Sequence, residues 1–101
     1  MHIVQILVPV ADNRGRPFSS ELLRAIQNEL TERFGGLTAY TRAPAQGVWL
    51  AADKPARDDI VVVEVMVEEL NRTWWGDFRR RLEQMLSQEQ LVVRAFPIER
   101  L

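Results

Sequence analysis

The most regular pattern in the chain lies at residues 58–69, DDIVVVEVMVEE, and it predicts a central β-strand. The odd positions between 61 and 67 are all valine, whereas the even positions mix apolar residues with glutamates. Because side chains alternate across a strand, the valines are expected to pack against helices. The other face is also apolar but carries a carboxylate, Glu64, so it needs a different cover.

Three further strands follow from shorter patterns of β-branched and alternating apolar residues. The predicted strands are His2–Pro9, residues 37–43 and residues 91–98. Pro44 interrupts the second of these, and because proline cannot donate to a ladder, that strand is expected at a sheet edge or at a bulge. The stretch from Gly47 to Leu50 is also strand-like, either extending the second strand or forming an extra one. Residues 53–57 are predicted to be the connecting loop.

Two amphipathic helices are predicted. The first covers Ser20–Phe34, with Ser19 as N-cap and Gly35-Gly36 as a left-handed stop. The second begins after Asn71 or Thr73 and ends near Gln88, with an apolar stripe through Trp74, Phe78, Leu82 and Met85 or Leu86. Trp74 and Trp75 are neighbours, so only one of them is expected to face the core.

The predicted order is β-α-β-β-α-β in a single domain covering residues 1–101. Two β-α-β halves with right-handed crossovers fold most simply into a ferredoxin-like plait of the α+β class. Its four-stranded antiparallel sheet carries both helices on one face. The first and third strands are central, the fourth lies beside the first, and the second lies beside the third.

This topology leaves the other sheet face bare, and a monomer rarely exposes so large an apolar patch. We therefore expect a homodimer or higher homo-oligomer through this face, or a ligand upon it. Gln5, Glu64 and Arg94 lie near the middles of three adjacent strands and are expected to be hydrogen-bonded. They form either a structural network at the subunit interface or the lining of a cavity for a small polar ligand, which Tyr40 and Trp49 could help to wall.

The loop before the first helix is a second candidate site. Asn13, Arg14 and Arg16 precede a helix N-terminus, where free amides and guanidinium groups favour anions. The loop matches no complete phosphate-binding pattern, and a solvated turn is the competing interpretation.

Composition removes several classes of function. With 13 basic and 14 acidic residues the chain has a formal charge of −1, and its two central strands carry no aromatic residue, so RNA or DNA binding is not expected. It has no cysteine and one histidine, His2, which leaves no support for a metal site, a cofactor or a catalytic triad. No apolar run reaches the length of a membrane helix, and the N-terminus is better explained as a strand than as a signal peptide, so a cytoplasmic protein is expected.

The segment GGLTAYTRAPAQGVW followed by DDIVVVEVMVEELNRTWW resembles small uncharacterised bacterial proteins of the ferredoxin-like, dimeric α+β barrel type. The resemblance covers most of the chain from Phe34 onward. It implies the fold and a dimer, and it transfers no functional residue. The wider dimeric α+β barrel group includes small oxygenases, isomerases and ligand-sensing domains, but this chain lacks the histidine that many of those enzymes use.

Two functional hypotheses result. In the first, the protein is a homo-oligomer with no assignable catalysis, and its open sheet face is the subunit interface. In the second, it is a small enzyme or small-molecule-binding protein that uses a cavity near Gln5, Glu64 and Arg94.

Overall fold

A computed structural model describes the backbone of residues 1–51 and 54–101. Side chains are described for the same residues except 42–45, 49–51 and 54–58. Its elements, in chain order, are β1 (His2–Pro9), α1 (Ser20–Phe34), β2 (Thr38–Ala51), β3 (Lys54–Val67), α2 (Arg72–Met85) and β4 (Val93–Pro97).

The four strands form one antiparallel sheet in the order β2-β3-β1-β4. The predicted α+β, ferredoxin-like topology and strand order are therefore confirmed. The register places Gln5 of β1 directly between Glu64 of β3 and Arg94 of β4. Since side chains alternate across the sheet, these three residues share one face.

The valine stripe of β3 faces the helices, as predicted. Val63, Val65 and Val67 are each at most 4% exposed and belong to one core with buried residues of both helices. From α1 and α2 the core takes Ile26, Leu30, Trp75, Phe78 and Leu82. Both helices therefore cover the same face of the sheet, and the opposite face is open in the single chain.

Ser19 caps α1 as predicted, and of the two candidates for α2, Asn71 is the cap and Thr73 is not. The Ser19 hydroxyl accepts a hydrogen bond from the Leu22 amide at 3.1 Å, and the Asn71 side chain accepts from the Trp74 amide at 3.0 Å. Gly35 ends α1 with a φ of 84°, a left-handed conformation that glycine adopts without steric cost.

The β2–β3 hairpin corrects one prediction and settles another. Residues 54–57 belong to β3, so the prediction of a connecting loop there was wrong; Asp53 lies outside the described residues. The stretch from Gly47 to Leu50 extends β2 after a register shift between Tyr40 and Ala45, which also places Pro44 at an irregularity of an edge strand. Cross-strand pairing overrides the weak strand propensity of residues 54–57.

The second half of the chain differs in detail from the predicted boundaries. The helix α2 ends at Met85, β3 ends at Val67, and β4 is limited to Val93–Pro97. Leu86 rather than Met85 continues the buried stripe of α2, since Met85 is 46% exposed.

Of the two adjacent tryptophans, one belongs to the buried core, but it is Trp75, so the prediction that Trp74 stands in the buried stripe of α2 was wrong. Trp75 is buried, and Trp74 packs against the core as a partly buried residue. The ring centroid of Phe34, at the end of α1, lies 5.2 Å from the ring centroid of Trp74 and 5.1 Å from that of Trp75. Because this third ring contacts both indoles, the two adjacent residues share one aromatic cluster.

Candidate functional site

Four polar side chains form a continuous hydrogen-bonded row across the open sheet face, which we call the polar row: Arg94, Gln5, Glu64 and Tyr40. Arg94 Nε donates to Gln5 Oε1 at 2.8 Å, and Gln5 Nε2 donates to Glu64 Oε1 at 2.6 Å. The Tyr40 hydroxyl donates to the second carboxylate oxygen, Glu64 Oε2, at 3.2 Å. The hydrogen bonds expected among Gln5, Glu64 and Arg94 are thus present.

Strand register explains why these residues meet. Gln5 is paired with both Glu64 and Arg94, so the first three members stand side by side on adjacent strands. Tyr40 is paired with Val62, two residues from Glu64, and a side chain as long as tyrosine reaches such a diagonal neighbour.

Apolar residues flank the polar row on both sides. Two residues before Gln5 on the same face of β1, Ile3 is paired with Met66 and with Phe96. Two residues after Gln5, Leu7 is paired with Val62. Met66 is 53% exposed and Phe96 40% exposed in the single chain. The open face therefore consists of one polar row between two apolar rows.

The hydrogen bond with Glu64 alters the acidity of the tyrosine. It holds the proton on the hydroxyl, and the negative charge of the carboxylate opposes formation of a second anion, so the pKa of Tyr40 is raised above its usual value of 10.0. Tyr40 therefore serves as a hydrogen-bond donor at neutral pH. The carboxylate of Glu64 accepts from two donors and keeps lone pairs free for another.

A groove of about 670 Å³ begins at Glu64 and runs toward the end of α1. Its apolar lining includes Ile3 and Met66 from the open face. Charged residues of both signs also line it: Glu64, Glu68, Glu69, Arg33 and Arg100. A groove of this composition suits a small ligand that has both an apolar part and polar groups.

The role of the predicted site residues as ligands remains a prediction, although their positions are now defined. Gln5, Glu64, Arg94 and Tyr40 lie together in the polar row. The Trp49 side chain lies outside the described residues. Arg33 and Arg100 were not among the predicted site residues, because no periodic signal places the end of a helix and the C-terminal segment beside the middle of a strand.

The predicted anion loop is organised around its own carboxylate. The backbone amides of Arg14 and Arg16 each donate to Asp12 Oδ1 at 2.9 Å, and Arg16 forms an ion pair with the same side chain at 3.3 Å. Asn13 lies apart from these contacts and donates to the Ser87 carbonyl oxygen at 3.2 Å. These two loop amides are therefore bound to Asp12 and are not free for an external anion.

Asp12 is acidified by this arrangement. The hydrogen bond from the Arg16 amide contributes most, with further contributions from the Arg14 amide and the Arg16 charge, and together they lower the pKa of Asp12 below 3.8.

Two general properties of the described residues bear on function. Among the side chains that the structure describes, no three histidine or acidic groups lie together so as to hold a metal ion. No helix in that part of the chain has both the length and the apolar character needed to cross a membrane.

Solved structures with the same fold include two divalent cation tolerance proteins. The CutA1 protein from Thermus thermophilus is 16% identical, with a TM-score of 0.64, and the periplasmic CutA from Archaeoglobus fulgidus is 19% identical, with a TM-score of 0.63. Each alignment covers 99% of this chain and 86% of the other.

A phage SAM lyase also shares the fold. Its apo structure is 14% identical, with a TM-score of 0.63 over 94% of this chain and 78% of the lyase. A second structure of the lyase contains S-methyl-5′-thioadenosine and has a TM-score of 0.59 at 15% identity, over 94% of this chain and 79% of the lyase. No family model and no curated protein sequence matches this chain. At these identities the similarity shows a ferredoxin-like α+β fold and nothing more specific.

Proposed function

We propose that the protein functions as a homo-oligomer in which a second copy of the chain covers the open sheet face. The observation that carries this proposal is the arrangement of that face, where a hydrogen-bonded polar row lies between two apolar rows. Ile3, Met66 and Phe96 form a contiguous apolar strip across three strands. Covering such a strip removes apolar surface from water, which stabilises the assembly by about 25 cal/mol for each Å² buried.

The charge pattern of the polar row favours a second copy of the same chain as the cover. Arg94 stands near one end of the row and Glu64 near the other, with Gln5 between them. A two-fold axis that lies between the two faces, parallel to the strands and above Gln5, would bring the arginine end of one row toward the carboxylate end of the other. Such complementarity offsets part of the cost of burying both charges.

A pair of matched variants tests the interface. Met66→Lys places a charge within the apolar strip, whereas Met85→Lys changes an equally large, 46% exposed residue on α2. Molar mass measured by light scattering at equal concentrations should fall toward that of the single chain for Met66→Lys and stay unchanged for Met85→Lys. Identical masses for the wild type and both variants would contradict an interface at Met66.

A second candidate function is binding of a small ligand in the groove beside Glu64. The observation that favours it is that one carboxylate both accepts the hydrogen bonds of the polar row and lines the groove. Support also comes from the phage SAM lyase, which shares the fold and has been solved with S-methyl-5′-thioadenosine. That nucleoside combines polar and apolar parts, as the lining of the groove requires.

Calorimetric titration with S-methyl-5′-thioadenosine tests this candidate. Saturable binding should be weakened at least about tenfold by Glu64→Gln, which removes the charge but keeps the shape. Glu89→Gln removes an exposed acid that does not line the groove and should leave the affinity unchanged. An absence of saturable heat, or equal weakening by both substitutions, would count against a nucleoside site at Glu64.

A further inference from the structure

A second cavity lies beside α2, the helix that packs on the covered face of the sheet. It has a volume of about 200 Å³ and lies between α2 and the edge strand β4, and we call it the α2/β4 cleft. Leu70 and Trp75 are among its apolar lining residues, and three arginines also line it: Arg72 and Arg79 of α2 and Arg94 of β4.

The spacing of α2 explains how the two arginines come to share the cleft. Arg72, Gly76 and Arg79 are four and three residues apart and therefore lie along one face of the helix. Gly76 has no side chain, so the wall of the cleft recedes between the two arginines. A methyl group added there would meet only the Arg80 guanidinium, at 3.7 Å. The helix therefore places Arg72 and Arg79 on either side of Gly76, with the Arg80 guanidinium close to the glycine.

These arginines differ from their neighbours in charge pairing. Arg80 pairs with Asp77, and Arg81 pairs with Glu29 at 2.7 Å. Within the part of the chain that the structure describes, no carboxylate lines the cleft, and neither Arg72 nor Arg79 forms an ion pair or a side-chain hydrogen bond with one. Arg79 is only partly exposed. A partly desolvated guanidinium with no neutralising carboxylate is stabilised by an anion.

The edge of β4 supplies further donors. The Leu7 amide donates to the Val92 carbonyl oxygen at 3.0 Å, so the backbone groups of Val92 face β1. Backbone groups alternate in direction along an antiparallel strand, and those of Val93 and Ala95 consequently face away from β1. Since β4 is the last strand of the sheet, these amides lie along its open edge, and both residues line the cleft.

We propose that the α2/β4 cleft is a binding site for a small anion bearing a phosphate or carboxylate group. Arg72 and Arg79 neutralise the anion, and the outward amides of Val93 and Ala95 supply neutral donors of the kind that orient oxyanions. The apolar surface of Leu70 and Trp75 accommodates a short hydrocarbon portion of the ligand. Arg94 of the polar row also lines the cleft, so the two sites adjoin at β4, but the proposal does not depend on the open face being a subunit interface.

The test is a titration of the ¹⁵N-labelled full chain, in its native assembly, with inorganic phosphate and separately with succinate. Sodium chloride keeps the ionic strength constant, because a change in screening alone would move the amide signals of residues near exposed charges. The amide signals of Gly76, Val93 and Ala95 should move saturably with at least one of the two anions. The anion that saturates identifies the group that the cleft recognises.

Two substitutions make the test specific. Arg79→Gln should weaken the saturating anion at least about tenfold, because it removes a charged donor from the cleft. Arg81→Gln removes the same charge from the same helix at a residue that pairs with Glu29 and does not line the cleft, and it should leave the affinity within about twofold. Shifts that fail to saturate with either anion, or equal weakening by both substitutions, would overturn the proposal. A loss of oligomer mass in Arg79→Gln without anion binding would also overturn it, since the arginine would then serve a subunit contact.

Discussion

Gln5 and Glu64 are joined by a 2.6 Å hydrogen bond between the two central strands, and this contact fixes the orientation of the glutamine. A carboxylate only accepts hydrogen bonds and a guanidinium only donates them. The Gln5 amide must therefore direct its nitrogen toward Glu64 and its oxygen toward Arg94, as it does. An amide carries both a donor and an acceptor, so it satisfies both neighbours at this position without adding charge.

Replacing Gln5 by leucine tests how deeply the row is buried in the native assembly. Gln5→Leu removes a donor from Glu64, and if a second copy covers the face, the free energy of unfolding should fall by about 1–3 kcal/mol. Urea denaturation at a fixed protein concentration measures this. Gln84→Leu, at an exposed position of α2, is the control and should change stability by less than about 0.5 kcal/mol. A Gln5→Leu protein as stable as the wild type would indicate that water reaches the row.

Glu64→Gln separates the two candidate functions. If the row belongs to the subunit interface, loss of the charge that faces the partner should weaken association, visible as a lower mass on dilution. If Glu64 only contacts a ligand, mass should be unchanged and stability should stay within about 1–2 kcal/mol. A variant with unchanged mass that also retains nucleoside affinity would argue against both roles for this carboxylate.

Tyr40 gives a direct spectroscopic reading of the same contact, because it is the only tyrosine in the chain. Its pKa should lie above 10.0 in the wild type and fall toward that value in Glu64→Gln, as followed by phenolate absorbance. Glu68→Gln, four residues further along the chain, should leave the titration of Tyr40 where it is. An unchanged Tyr40 pKa in Glu64→Gln would show that the two side chains do not share a hydrogen bond in solution.

The sign of the accompanying stability effect follows from that shift. A pKa that is higher in the folded than in the unfolded state means that the folded protein holds the phenolic proton more tightly. The contribution of this hydrogen bond to stability is therefore complete below pH 10 and is lost as the pH rises through the pKa of folded Tyr40.

Asp12 should behave in the opposite sense. Its folded pKa lies below 3.8, chiefly because of the hydrogen bond from the Arg16 amide, so its contribution to stability is present above that value and is lost as the pH falls through the folded pKa. An NMR titration of the side-chain carboxyl should give a lower pKa in the native protein than in urea. Equal values in the two states would show that the loop amides do not bind this carboxylate in solution.

Much of the fold was predictable because a single local pattern specifies it. The valine stripe of β3 shows which face is buried, and the β-α-β-β-α-β order with right-handed crossovers then leaves one simple sheet order. That order places the strand of Gln5 between the strands of Glu64 and Arg94. The participation of Tyr40 in the row depends on its pairing with Val62, and the strand order alone does not give the register of β2 against β3.

The parts that sequence did not predict depend on non-local pairing. Residues 54–57 include a proline and lack β-branched side chains, yet they pair with β2 because the hairpin continues beyond the end of β1. The groove beside Glu64 is lined by residues from four parts of the chain, among them Arg33 and Arg100. Periodicity within one element cannot predict which distant parts of the chain come together.

The central claim is that a second copy of this chain covers the open face, and molar mass in solution tests it most directly. The single chain has a mass of 11.7 kDa. Light scattering on the wild-type protein at micromolar concentration should give at least twice that mass. A stable value of 11.7 kDa across the concentration range would contradict the account.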